Sequence, residues 1–153
     1  MSHTLRNFQQ EDASGVKNLI ISILADEYPI DRAAYSDTDL ERILDVYGGK
    51  NECFFVIEED GLIVGTAGIK RESKDEALLR RLFVDPCHRN MGYGSQLLKS
   101  AIKFCRDNGY RKIFFRCTDR MINAMKLCEK EGFTKKETLQ ISGFYIHKLE
   151  LSI

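Results

Sequence analysis

Between Ala77 and Leu98 an apolar stretch runs into a glycine-bearing turn and then a helical pattern, which leaves few folds open to the chain. Leu78 to Val84 has strand character and stops at Asp85-Pro86, because proline lacks the N–H that a ladder needs. A short connection carrying Arg89, Gly92 and Gly94 follows. Leu97, Leu98, Ala101, Ile102 and Cys105 then recur on one helical face. Strand, turn and helix N-terminus together suit an anion. Successive N–H groups point outward, glycine lets the backbone come close, and the helix dipole favours negative charge. Arg89 is expected to add a fixed cation, so the segment reads as a phosphate site, foremost a pyrophosphate site. The same residues also suit an ordinary strand–turn–helix whose glycines only shape the bend. The dinucleotide fingerprint is not met: Gly92-Tyr93-Gly94-Ser95-Gln96-Leu97 lacks the third glycine, and the strand ends eight residues before Gly92.

A length of 153 residues gives one domain, 1–153, with enough chain for a real core. Lys plus Arg equals Asp plus Glu at 23 each, so no net field draws the protein to nucleic acid or to a membrane surface. Five cysteines, odd in number and without a Cys-x-x-Cys pair, argue against a disulfide framework or a zinc site and for a reducing cytoplasm. No apolar run reaches membrane-spanning length and no charged-then-apolar leader opens the chain, so a cytoplasmic protein is expected.

In chain order, Thr4 to Phe8 suits a first strand, and Asp12 an N-cap for a helix whose face is Ala13, Val16, Leu19, Ile20, Ile23 and Leu24. Ser36 to Asp39 offers caps for a second helix through Leu40, Ile43, Leu44 and Tyr47, stopped by Gly48-Gly49. Cys53 to Glu58 and Leu62 to Lys70 form a hairpin across Asp60-Gly61. After the strand and helix of the glycine turn come a strand at Ile113 to Cys117 and a helix from about Met121 to Glu131. Two strands, near Phe133 to Leu139 and Phe144 to Leu151, finish the chain. The order β-α-α-β-β-β-α-β-α-β-β is an α/β layered fold around a mixed sheet with helices on both faces.

Arg89-Asn90-Met91-Gly92-Tyr93-Gly94 resembles the Arg/Gln-x-x-Gly-x-Gly/Ala signature of the GNAT superfamily of N-acetyltransferases. The preceding Arg80-Arg81-Leu82-Phe83-Val84-Asp85-Pro86 is similar to that family's fourth strand, and Ala124 with Cys128, Gly132 and Phe133 to its Ala-x-x-x-Tyr-x-x-x-Gly-Phe block. The element order is similar over nearly the whole chain. The resemblance implies the GNAT fold, in which the fourth and fifth strands splay to take the pantetheine arm. It also implies acetyl-CoA as donor and a primary amine as acceptor, joined by direct attack in a ternary complex.

Carried over by position, backbone groups of Leu82, Phe83 and Val84 line pantetheine, and the Leu82 N–H polarises the thioester carbonyl. Arg89, Asn90, Met91, Gly92, Tyr93, Gly94 and Ser95 hold the pyrophosphate, mostly through backbone N–H groups. The chain departs from the pattern twice. Cys128 stands where the family has the Tyr that protonates the departing thiolate; a thiol is a weak acid for this role, and a buried packing cysteine is the competing reading. Met121 replaces the family's Asn, with Asn123 two residues on as a substitute only if the helix shifts register.

Glu76 is the first candidate base, sharing a strand face with Leu78, Arg80 and Leu82, and Glu58 the second; both also suit solvated hairpin ends. In a straight strand Arg80 and Arg81 face opposite sides, and the one in the cleft is a candidate for binding a carboxylate on the acceptor. Tyr28 and Tyr47 are candidates for the acceptor pocket, or for core packing. His88 reads as solvated and His147 as a sheet-surface residue, and no two histidines have metal-ligand spacing. A small-molecule acceptor is favoured, and the resemblance allows a homodimer. The competing function is a CoA-binding sensor or regulatory module of the same fold without turnover.

Overall fold

In the computed structural model, which describes residues 2–30, 38–141 and 143–153, the elements follow the expected order. They are β1 (His3–Asn7), α1 (Ala13–Glu27), α2 (Ile43–Tyr47), β2 (Cys53–Glu59), β3 (Leu62–Arg71), β4 (Glu76–Val84), α3 (Tyr93–Asp107), β5 (Lys112–Thr118), α4 (Ile122–Lys130), β6 (Thr134–Ile141) and β7 (Phe144–Ser152). The strands form one seven-stranded mixed sheet in the order β1-β2-β3-β4-β5-β7-β6. Every pairing is antiparallel except β4 with β5. Asp60 (φ 52) and Gly61 (φ 83) take the paired positive φ angles of a two-residue hairpin between β2 and β3.

Consecutive strand residues point to opposite faces, so the rings of β2 report what covers each side. Phe54 packs edge-on against Tyr47 of α2 at 5.1 Å, and Phe55 against Phe104 of α3 at 6.3 Å. Helices therefore cover both faces. The core between them is fully apolar at Ile57, Ile69, Leu79, Leu97, Leu98, Ile113 and Leu149. Among the described residues no helix is long and apolar enough to cross a membrane.

Two helix starts differ from expectation. The Asp12 side chain does not cap α1; it accepts from the Gln9 N–H (2.8 Å) and from both terminal nitrogens of Arg6 (2.7 and 2.9 Å). The second helix is broken into a 3-10 turn, Thr38–Glu41, and the short α2, because Asp39 turns inward to a buried partner instead of capping. Ser36 and Asp37, the other expected caps, lie outside the described residues.

Candidate active site

Strand β4 pairs with β5 only from Glu76 opposite Lys112 to Leu79 opposite Phe115. Beyond that point β5 continues with β7 as far as Thr118 opposite Ile146, while β4 stays with β3. The cause lies in β4 itself. Thr66 pairs with Phe83 and Gly68 with Arg80, so Arg81 and Leu82 together oppose the single residue Ala67. This β-bulge bends the strand, and Arg81 takes the left-handed region at φ 56 to accommodate it. A buried hydrogen bond from Thr66 Oγ1 to the Arg81 carbonyl (2.7 Å) holds the distortion. From Arg80 to Val84 the edge of β4 that faced β5 is open.

The bulge also changes where the arginines point. Both reach the same carboxylate, contrary to the alternation expected of a straight strand. Arg81, whose side chain is 4% exposed, donates to Asp39 through Nε (3.0 Å) and Nη2 (2.5 Å). Tyr47 Oη donates to Asp39 Oδ2 at 2.7 Å. Arg80 Nη2 stands 3.9 Å from the same oxygen. Burial works to raise the Asp39 carboxyl, but the bonds from Arg81 and Tyr47 outweigh it and hold the group below the usual carboxylate range. Tyr47 is thus buried behind the arginines as a support for Asp39, and it does not line the cleft.

At the open end of β4 the turn expected to hold phosphate has the geometry for it. Asn90 (φ 64) and Gly92 (φ 82) are both left-handed, and Gly92 is the N-cap of α3. The first intrahelical bond runs from the Gln96 N–H to the Gly92 carbonyl (3.0 Å), so the amides of Tyr93, Gly94 and Ser95 precede the helical ladder. Arg89 departs from expectation. Its guanidinium meets the Glu27 carboxylate in two bonds, and its Nε donates to the Val84 carbonyl at 3.0 Å. Its charge is balanced by Glu27 of α1.

A second clamp steadies the same turn. His88 is not solvated: Nδ1 lies 2.7 Å from Asp85 Oδ2 and Nε2 lies 2.9 Å from Glu59 Oε2. Tyr93 Oη donates to the other Glu59 oxygen, and the His3 ring stacks at a tilt on Tyr93 with centroids 4.5 Å apart. Glu59 is 5% exposed, so this carboxylate is a buried anchor.

Between the parted strands, the turn and α4 lies a cavity of about 870 Å³. Six cationic residues line it: Arg80, Arg81, Arg89, Arg116, Lys126 and Lys130. Among the described residues no Asp or Glu does. Leu82, Phe83, Val84, Asn90, Gly92, Tyr93, Gly94, Ser95, Asn123 and Tyr28 are also in the lining. Met91 is not; its side chain points to solvent and is 51% exposed.

The Acetyltransferase (GNAT) family model matches residues 18–133, which take in the splayed strands, the turn and α4. The chain belongs to the GNAT family. The chain is 33% identical over 101 residues to the probable N-acetyltransferase camello of Xenopus tropicalis, 65% of this chain and 46% of that protein. It is 31% identical over 106 residues to human N-acetyltransferase 8, 64% of this chain and 46% of the relative. It thus spans about half the length of these curated relatives. The uncharacterized N-acetyltransferase YjgM of Escherichia coli K12 is 25% identical over 138 residues, 86% of this chain and 82% of that one. In fold, the chain is similar to a GNAT-family acetyltransferase of Staphylococcus aureus Mu50 (TM-score 0.85, 23% identity, 99% and 100% of the two chains).

Against the GNAT pattern, Cys128 does not reach the cleft. It is fully buried on α4, and burial pushes its thiol far above the ordinary value, with Cys117 and Glu129 adding to the rise. Its carbonyl accepts the Phe133 N–H (3.0 Å) across Gly132 (φ 105), so the Gly-Phe block ends the helix and seats Phe133 in the core. Glu76 is likewise outside the cavity lining. It opens β4 at the closed end of the sheet, where Ser73 Oγ donates to it at 3.3 Å, because the cleft begins only past Leu79. Glu58 is occupied by Arg6 at 2.6 Å. His147 is buried between Asp119 and Thr138 and is not a surface residue.

Met121 and Asn123 both line the cavity at the start of α4. Sequence reasoning missed Lys126 and Lys130, although their four-residue spacing puts them on one helical face, a signal open to inspection. It also missed Glu27, Glu59 and Asp39, whose partners are 62, 34 and 42 residues away.

Proposed function

We propose that this GNAT protein transfers the acetyl group of acetyl-CoA to the primary amine of a small molecule by direct attack in a ternary complex. The observation that carries the reading is the cleft: six cationic residues and the leading amides of α3 converge on one cavity that no described carboxylate lines. Such a lining fits a ligand with several phosphates and disfavours a neutral one. A similar structure, yncA of Salmonella typhimurium, is described with acetyl-CoA as its cofactor (TM-score 0.79, 19% identity, 99% of this chain and 94% of that one).

Acetyl-CoA supplies an activated thioester. The chain supplies the rest. The amides of Tyr93, Gly94 and Ser95 would hold the phosphate oxygens of acetyl-CoA, with the Arg89–Glu27 pair and the His88–Glu59 clamp bracing their turn. Arg116, Lys126 and Lys130 add positive charge along the opposite wall. The open edge of β4 past Leu79 would present main-chain groups to the pantetheine arm, and the Leu82 N–H, in the bulge, would polarise the thioester carbonyl.

A second reading has one observation in its favour. Cys128 is sealed off, so no thiol stands at the family's acid position in the cleft, as a CoA-binding sensor without turnover would allow. Incubating the protein with acetyl-CoA and a panel of amines, and following both thiol release and acetylated product by mass, separates the two. Product on any amine supports transfer. CoA-dependent thermal stabilisation, absent with ATP or NAD and without product anywhere in the panel, supports the sensor.

A further inference from the structure

We infer that the acceptor carries a carboxylate beside its amine and that Arg80 is the side chain that holds it. The inference rests on the acetyl-transfer reading and names the substrate class of the same site. The β-bulge brings two guanidinium groups to one carboxylate, but Asp39 is already satisfied by two bonds from Arg81 and one from Tyr47. Arg80, at 3.9 Å, is beyond hydrogen-bond reach of Asp39 and its side chain is 33% exposed. Arg80 is thus the less engaged of the two at Asp39 and the more exposed of the two in the cavity lining.

Position supports the assignment. Arg80 is the first residue past the last β4–β5 pair, at the point where the strands part. Arg116, Lys126 and Lys130 belong to β5 and α4 on the other wall, and Arg89 is balanced by Glu27. The surrounding charges sharpen the choice of ligand. Arg81 and Arg89 are paired with Asp39 and Glu27. Arg80, Arg116, Lys126 and Lys130 also line the cavity and no described carboxylate does, so a simple amine or a diamine would meet like charges there. An amino-acid-like acceptor brings its own anion. Its carboxylate matches the planar fork of Arg80 in a bidentate pair, which orients the neighbouring amine and offsets its charge.

The test compares the L-amino acids, each against its own carboxamide, as acceptors for the wild-type protein and for Arg80→Met and Arg80→Lys. The expected result is at least one amino acid used with kcat/KM tenfold or more above its amide. Arg80→Met brings that ratio close to one, and Arg80→Lys keeps part of it. Amides used as well as the acids, or a ratio that survives Arg80→Met, overturns the inference and leaves acetyl transfer standing. If no amine is turned over, the transfer reading fails, and the same pairs are titrated by calorimetry into CoA-saturated protein. A tenfold preference for acid over amide that vanishes in Arg80→Met supports the carboxylate site, and no preference or no binding overturns it. Melting curves verify that each variant is folded.

Discussion

Arg89 and Glu27 close on each other through two near-equal hydrogen bonds, Nη1 to Oε1 at 2.7 Å and Nη2 to Oε2 at 2.8 Å. The pair ties the last turn of α1 to the turn that leads into α3. It turns a residue that looks like a phosphate ligand into a brace for the turn whose amides are proposed to hold the phosphate. Glu27→Gln breaks the charge match and one arm of the fork. The expected loss is about 1 kcal/mol of stability, as for a partly exposed pair, with a severalfold rise in the Kd for CoA. Denaturant melts and calorimetry read the two separately, and tighter CoA binding in the variant would show that Arg89 is better left free.

Gly92 and Gly94 are not equivalent. A Cβ at Gly92 meets no atom within 4 Å, yet its φ of 82 is one that L side chains rarely adopt. Gly92→Ala is therefore expected to cost about 1–2 kcal/mol in strain and, if the turn holds the phosphate as proposed, to weaken CoA binding tenfold or more. At Gly94 a Cβ meets Leu127 Cδ2 at 2.9 Å, the far end of a flexible side chain, and Val84 Cγ2 at an ordinary 3.8 Å. Gly94→Ala is expected to change stability by less than about 1 kcal/mol, offset by its better helix propensity. Paired melts and CoA titrations of the two variants check the contrast.

Cys128 is fully buried on α4, and we expect it to pack and not to react. Cys128→Ser is expected to keep kcat near wild type and leave the pH profile unmoved. It should lose about 1–3 kcal/mol of stability, because a buried hydroxyl replaces an apolar thiol. A large fall in kcat at unchanged stability would return the residue to the mechanism.

The pH dependence of stability has an identifiable contributor in His88. The hydrogen bond to Asp85 raises its imidazole above the ordinary value, burial opposes the rise, and the Glu59 charge adds to it. A folded pKa above the unfolded one means that the clamp's contribution is complete below about pH 6.5 and is lost as pH rises through the raised value. The expected magnitude is under about 1 kcal/mol. In His88→Gln the fall of Tm across that window should flatten; an unchanged slope would assign it to other groups.

Much of the fold could be read from the chain because its signals were local. Asp60-Gly61 dictated a hairpin, Asp85-Pro86 a strand end, and the spacing of Leu97, Leu98, Ala101 and Ile102 a helix face. The glycine turn that opens α3 was legible for the same reason. What escaped was set by distant partners. Period-two alternation put Arg80 and Arg81 on opposite faces, but the bulge depends on the Thr66 hydroxyl, fifteen residues back, and nothing near Arg81 announces it. Asp39 read as a cap because only the folded sheet brings Arg81 to it. Glu76 shared the right face and stood at the wrong end, since a face says nothing of where a sheet opens.

The direct test of the central claim follows the amide resonances of the turn during titration with CoA. The expected result is large shifts and slowed solvent exchange for the N–H groups of Gly92, Tyr93, Gly94 and Ser95, beyond those elsewhere in α3. Saturable CoA binding with those amides unmoved would contradict it, and would put the phosphates on another part of the protein.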